Sequence, residues 1–171
     1  MASKEYFEEK SKMYYESYVN NKSTRHVRGI IINDMGQILL LHFKKRNGYS
    51  IPGGTAEENE SIKDTVLREV LEETGISNME CVSISGDINV PFDINSHYIP
   101  ANEKKHEDGH YHHDFRYLFI INRLEDITID YNESNDYKWV SVSSLLDDGN
   151  FGLSIKKIVS LIRNKKKIMN K

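Results

Sequence analysis

The chain has a single cysteine, Cys81, so no internal disulfide can form and stability has to come from packing. It also lacks an uninterrupted apolar run of roughly 18 residues, the length a membrane-spanning helix needs, which argues for a soluble protein. The opening stretch MASKEYFEEK is charged where a secretory leader is apolar. Together with the lone thiol, it points to a reducing, cytoplasmic setting. Neither sign of charge is in large excess: 23 Lys plus Arg stand against 26 Asp plus Glu, for a net charge of −3. That balance argues against a protein built to grip nucleic acid phosphates. Internal repeats and low-complexity linkers are missing as well. The expected organisation is one domain over residues 1–171, with residues 1–22 as a helical extension in which Phe7, Tyr14 and Tyr18 fall near helical spacing.

What is present is a clear succession of elements. Two β-rich runs, His26 to Asn33 and Gln37 to Phe43, flank Asp34-Met35-Gly36, a turn signal that predicts a hairpin, and Asn47-Gly48 marks a second turn. Ile51-Pro52-Gly53-Gly54 cannot continue a strand, because proline lacks a donor and paired glycines favour an irregular backbone that can approach a ligand. From Ser61 the period changes. Ile62, Val66 and Val70 recur every four residues, with Leu67 and Leu71 widening the stripe. Ser61 and Asp64 have capping-box spacing and Gly75 supplies a left-handed terminator, so a helix is predicted over Ile62 to Thr74. Strands are expected at Cys81 to Ile88, Asp114 to Asn122 and Tyr137 to Val142. A short helix is expected at Ser143 to Leu146, and a closing helix is marked by Ile155, Ile158, Val159 and Ile162.

The charge that the chain lacks overall is concentrated in one place. Between Gly53 and Ile76 lie Glu57, Glu58, Glu60, Asp64, Glu69, Glu72 and Glu73 against Lys63 and Arg68, a local charge of −5. Glu69, Glu72 and Glu73 stand at i, i+3 and i+4, which puts three carboxylates on one helical face at a cost of roughly 0.2–0.5 kcal/mol per pair. The helix dipole also disfavours anions near a C-terminus. Such a face is either simply solvated or holds a cation. Hard oxygen donors beside a glycine loop suit magnesium or manganese, and phosphate chemistry uses such an ion.

The segment GTAEENESIKDTVLREVLEETGI resembles the Nudix box at every fixed position: Gly54, Glu60, Arg68, Glu69, Val70, Glu72, Glu73, Gly75 and Ile76. Pro52-Gly53 and Glu57 are similar to the family as well. The resemblance implies a Nudix fold, an α/β/α sandwich around a mixed β-sheet, with a loop-helix-loop catalytic motif. It further implies Glu69 and Glu73 as main ligands of magnesium (or manganese), Glu72 as another and the Gly53 carbonyl as an assistant. Arg68 and Glu60 would brace the loop and helix, and Glu69 or Glu72 would act as base. The implied substrate is a small nucleotide-like diphosphate, and a homodimer is compatible with the chain.

Four of the seven histidines lie in KKHEDGHYHHDFRYLF, at His106, His110, His112 and His113. Read with period two, His110, His112, Asp114 and Arg116 share one face, and Tyr111, His113, Phe115, Tyr117 and Phe119 share the other. The polar face could supply an extra acid or base, as happens in several Nudix enzymes. It could equally be an exposed loop beside a strand, or an independent zinc site of His-x-His plus Asp. Lysines 165–167 read as a solvated helix end, and Cys81 as a buried structural thiol.

The resulting expectation is hydrolysis of a phosphoanhydride bond in a nucleoside diphosphate linked to another moiety, or in a nucleoside triphosphate. A non-catalytic Nudix module that senses a nucleotide or metabolite is the rival. Isopentenyl diphosphate isomerase, a similar fold, needs a cysteine motif absent around Cys81.

Overall fold

The computed structural model describes residues 23–45, 47–121, 126–146 and 154–160. The N-terminal helix, Ile162 and the lysine run expected from the sequence lie outside them. Seven strands form one mixed sheet: β1 (Ser23–Ile32), β2 (Gln37–Phe43), β3 (Gly48–Ser50), β4 (Glu80–Val82), β5 (Asp93–Ile99), β6 (His110–Ile120) and β7 (Ser134–Ser141). β1 and β6 run parallel, with Thr24 beside His112, Arg28 beside Arg116 and Ile32 beside Ile120. The other pairings are antiparallel.

The β1–β2 hairpin forms where Asn33 caps its own turn, its Oδ1 accepting from the backbone amides of Met35 and Gln37, with Gly36 at φ 71°. The two strands pair only at Ile32 and Ile38 and then diverge. The Pro52–Ala56 segment fills the gap along β1: Gly29 N donates to Pro52 O, Val27 N to Gly54 O and Ala56 N to Arg25 O. This places the glycine loop against the central strand.

The helix α1 (Ile62–Thr74) has the predicted bounds. Ser61 accepts from the Asp64 amide, and Gly75, at φ 73°, donates to Leu71 O. Its Val66 and Val70 meet Val27, Ile31, Tyr117 and Phe119 on one face of the sheet. The opposite face buries Ile30, Ile32, Ile38, Leu40 and Leu118 against Ile155 and Ile158 of the helical residues 154–160. Adjacent β1 residues thus enter different cores, as strand alternation requires. Fully burying aliphatic side chains of this size contributes about 1.5–3 kcal/mol each, before entropy is counted.

The strand expected at Cys81 to Ile88 stops at Val82. Beyond it the polar side chains bond their own backbone: Ser83 Oγ donates to Asp87 O, Asp87 Oδ1 accepts from Asn89 N, and Gly86 sits at φ 87°. Local bonds of this kind compete with a β-ladder. Cys81 is half-buried, packed at the edge of the α1-side core. The strand expected from Asp114 begins earlier, at His110, and β7 begins at Ser134. The short helix is a 3-10 turn, Val142–Leu145. β5 has no clear sequence pattern; its pairing with β6 aligns Asp93 with Arg116 and His97 with His112.

Candidate active site

Two consecutive glycines of the loop and two glutamates of α1 build the core of the site. Glu73 is buried and its Oε2 accepts the Gly53 amide at 2.7 Å. Glu69 lies against the next residue. A Cβ on Gly54 would come within 2.3 Å of the Glu69 carboxyl, so only glycine leaves that carboxylate its place. Gly53 has φ 143°, and a Cβ there would strike Val27 O at 2.1 Å, so the loop can press on β1 only without a side chain. The structure therefore brings Glu69 and Glu73 together at the glycine pair.

Electrostatics at this pair run against ionisation. Burial raises the Glu73 carboxyl to about 8, and the charges of Glu69 and Glu133 add to the rise; the Gly53 hydrogen bond and Arg28 oppose it. Burial likewise raises Glu69, with Glu72 and Glu133 adding and Arg68 opposing. Glu133, an exposed residue of the turn before β7, thus acts on both carboxylates although the box does not include it.

Glu72 is exposed, with Oε2 3.1 Å from Arg68 Nη1, and its charge acts on Glu69. Arg68 is the brace: Nε and Nη2 fork onto Glu60 at 2.9 and 3.0 Å, while Nη1 also reaches Glu69 at 2.9 Å. The fork holds Glu60 down at about 2, and the Glu60 carboxylate also accepts from Thr65 Oγ1 and from the Glu57 amide. Glu57 itself is exposed on the loop.

On the polar half of the sheet face opposite α1, β6 presents His110, His112, Asp114 and Arg116. These histidines lie in a strand, which removes the loop reading for them; His106 alone sits in an exposed turn. His110 Nε2 and His112 Nε2 are 2.9 Å apart. The His112 ring is 4.5 Å from that of His26 on β1 and 5.6 Å from that of His97 on β5. His26 Nδ1 lies 3.1 Å from Thr55 Oγ1, which ties this face to the glycine loop. Arg28 reaches Asp114 at 3.5 Å, and its charge acts on both Glu73 and His112. Arg116 is buried and bonded to Asp114 and Ser154 with Asp93 alongside, so it anchors the helical residues 154–160 to the sheet. Lys157 pairs with Asp93 as well.

His26, Arg28, His97 and Glu133 carry no spacing signal in the sequence. Their places follow from the β1–β6 register and from the turn that returns the chain to β7.

The donor set at the glycine loop, carboxylates plus carbonyls, is the chemistry that hard divalent ions select. Among the described residues, no three His, Cys, Asp or Glu side chains are already gathered closely enough to hold a metal ion; the trio His110, His112 and Asp114 is not such a group. Among the described residues no helix is long and apolar enough to cross a membrane.

Comparison with known proteins fits this architecture. A probable DHNTP pyrophosphohydrolase of Lactococcus lactis subsp. cremoris is 39% identical over 75 residues, covering 44% of this chain and 41% of that protein. The chain spans less than half the length of the curated relatives it matches. A C. elegans Ap4A hydrolase, solved as a binary complex, superposes with a TM-score of 0.63 at 15% identity, over 82% of this chain and 98% of that one. The E. coli dihydroneopterin triphosphate pyrophosphohydrolase superposes with a TM-score of 0.61 at 15% identity, over 78% and 92%. At such identity the two structures speak to the fold alone. The family model described as NUDIX domain matches residues 22–160, and with the box intact on α1 the chain belongs to that family.

Proposed function

We propose that the chain hydrolyses a phosphoanhydride bond, with magnesium or manganese as its ion, in a nucleoside diphosphate linked to another moiety or in a nucleoside triphosphate. The carrying observation is the Glu69 and Glu73 pair held against Gly54 and Gly53, where burial and mutual repulsion make two negative charges unfavourable unless a cation joins them. Glu69, Glu73 and the Gly53 carbonyl would hold the ion, with Glu72 and Glu133 as further oxygen donors. When bound, it offsets charge on the phosphate oxygens and lowers the pKa of a coordinated water. Arg68 and Glu60 keep the helix and loop in register, a supporting role of the kind metal ligands need. The proton acceptor comes from Glu69 or Glu72, or from the sheet face that carries His110, His112 and Asp114.

The relatives named for DHNTP, dihydroneopterin triphosphate and Ap4A make those compounds the first to assay. The test is a magnesium-dependent hydrolysis screen of the full chain over these compounds, nucleoside triphosphates, oxidised nucleotides, ADP-ribose and capped RNA. Turnover that needs the ion and drops at least about a hundredfold in Glu69→Gln and Glu73→Gln supports the reading. Binding of a nucleotide without turnover would instead make the chain a sensor module.

A further inference from the structure

The hydrogen bonds of His110 and His112 fix which nitrogen of each ring carries the proton. His110 Nδ1 lies 2.8 Å from the carbonyl oxygen of Asp108. A carbonyl can only accept, so His110 must carry its hydrogen on Nδ1. In the neutral ring, His110 Nε2 is then a bare lone pair, and its partner 2.9 Å away, His112 Nε2, must donate. That leaves Nδ1 of neutral His112 as the basic nitrogen. The order of donors runs from the Asp108 carbonyl through His110 to His112, the arrangement by which one side chain sets the tautomer of another.

We propose that His110 and His112 act as a tautomer-locked pair, in which His110 is the positioning residue and His112 takes a proton at Nδ1 during hydrolysis. This rests on the hydrolase reading above. In the assigned step a water O–H bond breaks as its oxygen bonds to phosphorus. The P–O bond to the departing phosphate breaks, with its electron pair leaving on that oxygen. The water's proton goes to His112 Nδ1. The resulting imidazolium still donates Nε2–H to His110, so the pair holds one added proton without breaking its bond. Protonating His110 instead would set two N–H groups head to head.

The surroundings keep His112 ready to accept. Its neighbours are His110 and Asp114 on β6, His97 on β5, and His26 and Arg28 on β1. Burial, His110, His97 and Arg28 hold the His112 imidazole below its ordinary value, and Asp114 opposes them. These surroundings favour the neutral ring, the form a general base needs. Contact with the metal-binding loop runs through His26, whose ring packs on His112 and whose Nδ1 meets Thr55, the residue after Gly54.

The experiment uses the full chain. Long-range 1H–15N spectra of the histidine rings at pH 7.5 are expected to show His110 with its hydrogen on Nδ1, the minor form for a free imidazole, and His112 with its hydrogen on Nε2. His110→Phe removes the acceptor, whereas His110→Gln returns an amide oxygen that can take the His112 hydrogen. The expected result is a fall in kcat of about tenfold for Phe, with KM changed less than about twofold, and recovery to within about threefold of wild type for Gln, out of the roughly 10²–10⁴ that acid–base catalysis supplies. A chain that hydrolyses substrate, yet shows His110 protonated on Nε2 or an unchanged kcat in His110→Phe, overturns the pairing alone. A wild-type chain that hydrolyses none of the screened compounds overturns the hydrolase reading and the pairing with it.

Discussion

Glu73 accepts the backbone amide of Gly53 at 2.7 Å, which joins the last turn of α1 to the glycine loop twenty residues earlier. Because burial raises its carboxyl to about 8, folding favours the protonated form. Its contribution to stability is complete below the ordinary carboxylate value and is lost as pH rises through about 8. Thermal melts in EDTA should therefore show wild type falling behind Glu73→Gln between about pH 4.5 and 8, by an amount on the order of a few kcal/mol. The amide oxygen of glutamine still accepts from Gly53. Magnesium should restore wild type at pH 8 and leave the variant where it was. Parallel melting curves for the two proteins across this range would remove the argument.

Gly53→Ala and Gly54→Ala should fail in different ways. At Gly53 the added carbon meets backbone, Val27 O, and the residue sits at φ 143°, so the fold itself has to give. A loss of at least about 2 kcal/mol is expected. At Gly54 the atoms nearest the added carbon are the end of the Glu69 side chain, which can swing away. That variant should melt within a few degrees of wild type and lose about tenfold or more in turnover. Melting temperature and kcat measured on both proteins decide it; a Gly54→Ala enzyme of full activity would show that Glu69 can work from another position.

Arg68 holds three carboxylates at once, Glu60, Glu69 and Glu72. Lysine keeps the charge but not the fork, so Arg68→Lys should recover little of what Arg68→Ala loses. A reduction of about ten- to a hundredfold in activity or ion affinity is expected for both, the range for residues that orient metal ligands. The acid limb carries its own sign. Glu60 sits at about 2, so the pair's stabilisation is present above the ordinary carboxylate value and is lost as pH falls toward 2. Melting curves of wild type and Arg68→Ala should converge there, and a constant gap down to pH 2 would argue against the pair as its source.

The parts of the site that were legible in sequence are those fixed by local chemistry. Ser61, Asp64 and Gly75 set the ends of α1, and the spacing of Glu69 and Glu73 within one helical turn decides that they meet. The glycine pair declares itself because no other residue tolerates the approach to β1 and Glu69. Alternation along β6 separated His112 and Asp114 from Tyr117 and Phe119 correctly. Arg28, His26 and His97 could not be read in this way. They reach the site through the parallel β1–β6 register and through β5, a strand whose DINSHYI sequence shows no apolar alternation and which forms because β6 offers it an edge. The apolar residues of Cys81 to Ile88 gave the opposite error, since Ser83, Ser85 and Asp87 satisfy the backbone locally.

Glu133 shows how far a turn can matter without a motif. Its backbone is anchored on both sides, its carbonyl accepting from Lys44 N and its amide donating to Asp130 O, so the turn keeps its shape whatever the side chain. The side chain is exposed, yet its charge acts on Glu69 and Glu73 alike. Glu133→Gln keeps the size and removes the charge. Stability should therefore change by less than about 0.5 kcal/mol, while the apparent affinity for magnesium in the hydrolysis assay falls by about tenfold or more. Glu73 should titrate lower, because one of the charges raising it has gone. If magnesium dependence and the Glu73 titration both stay as in wild type, Glu133 is a surface carboxylate with no part in the proposed ion site.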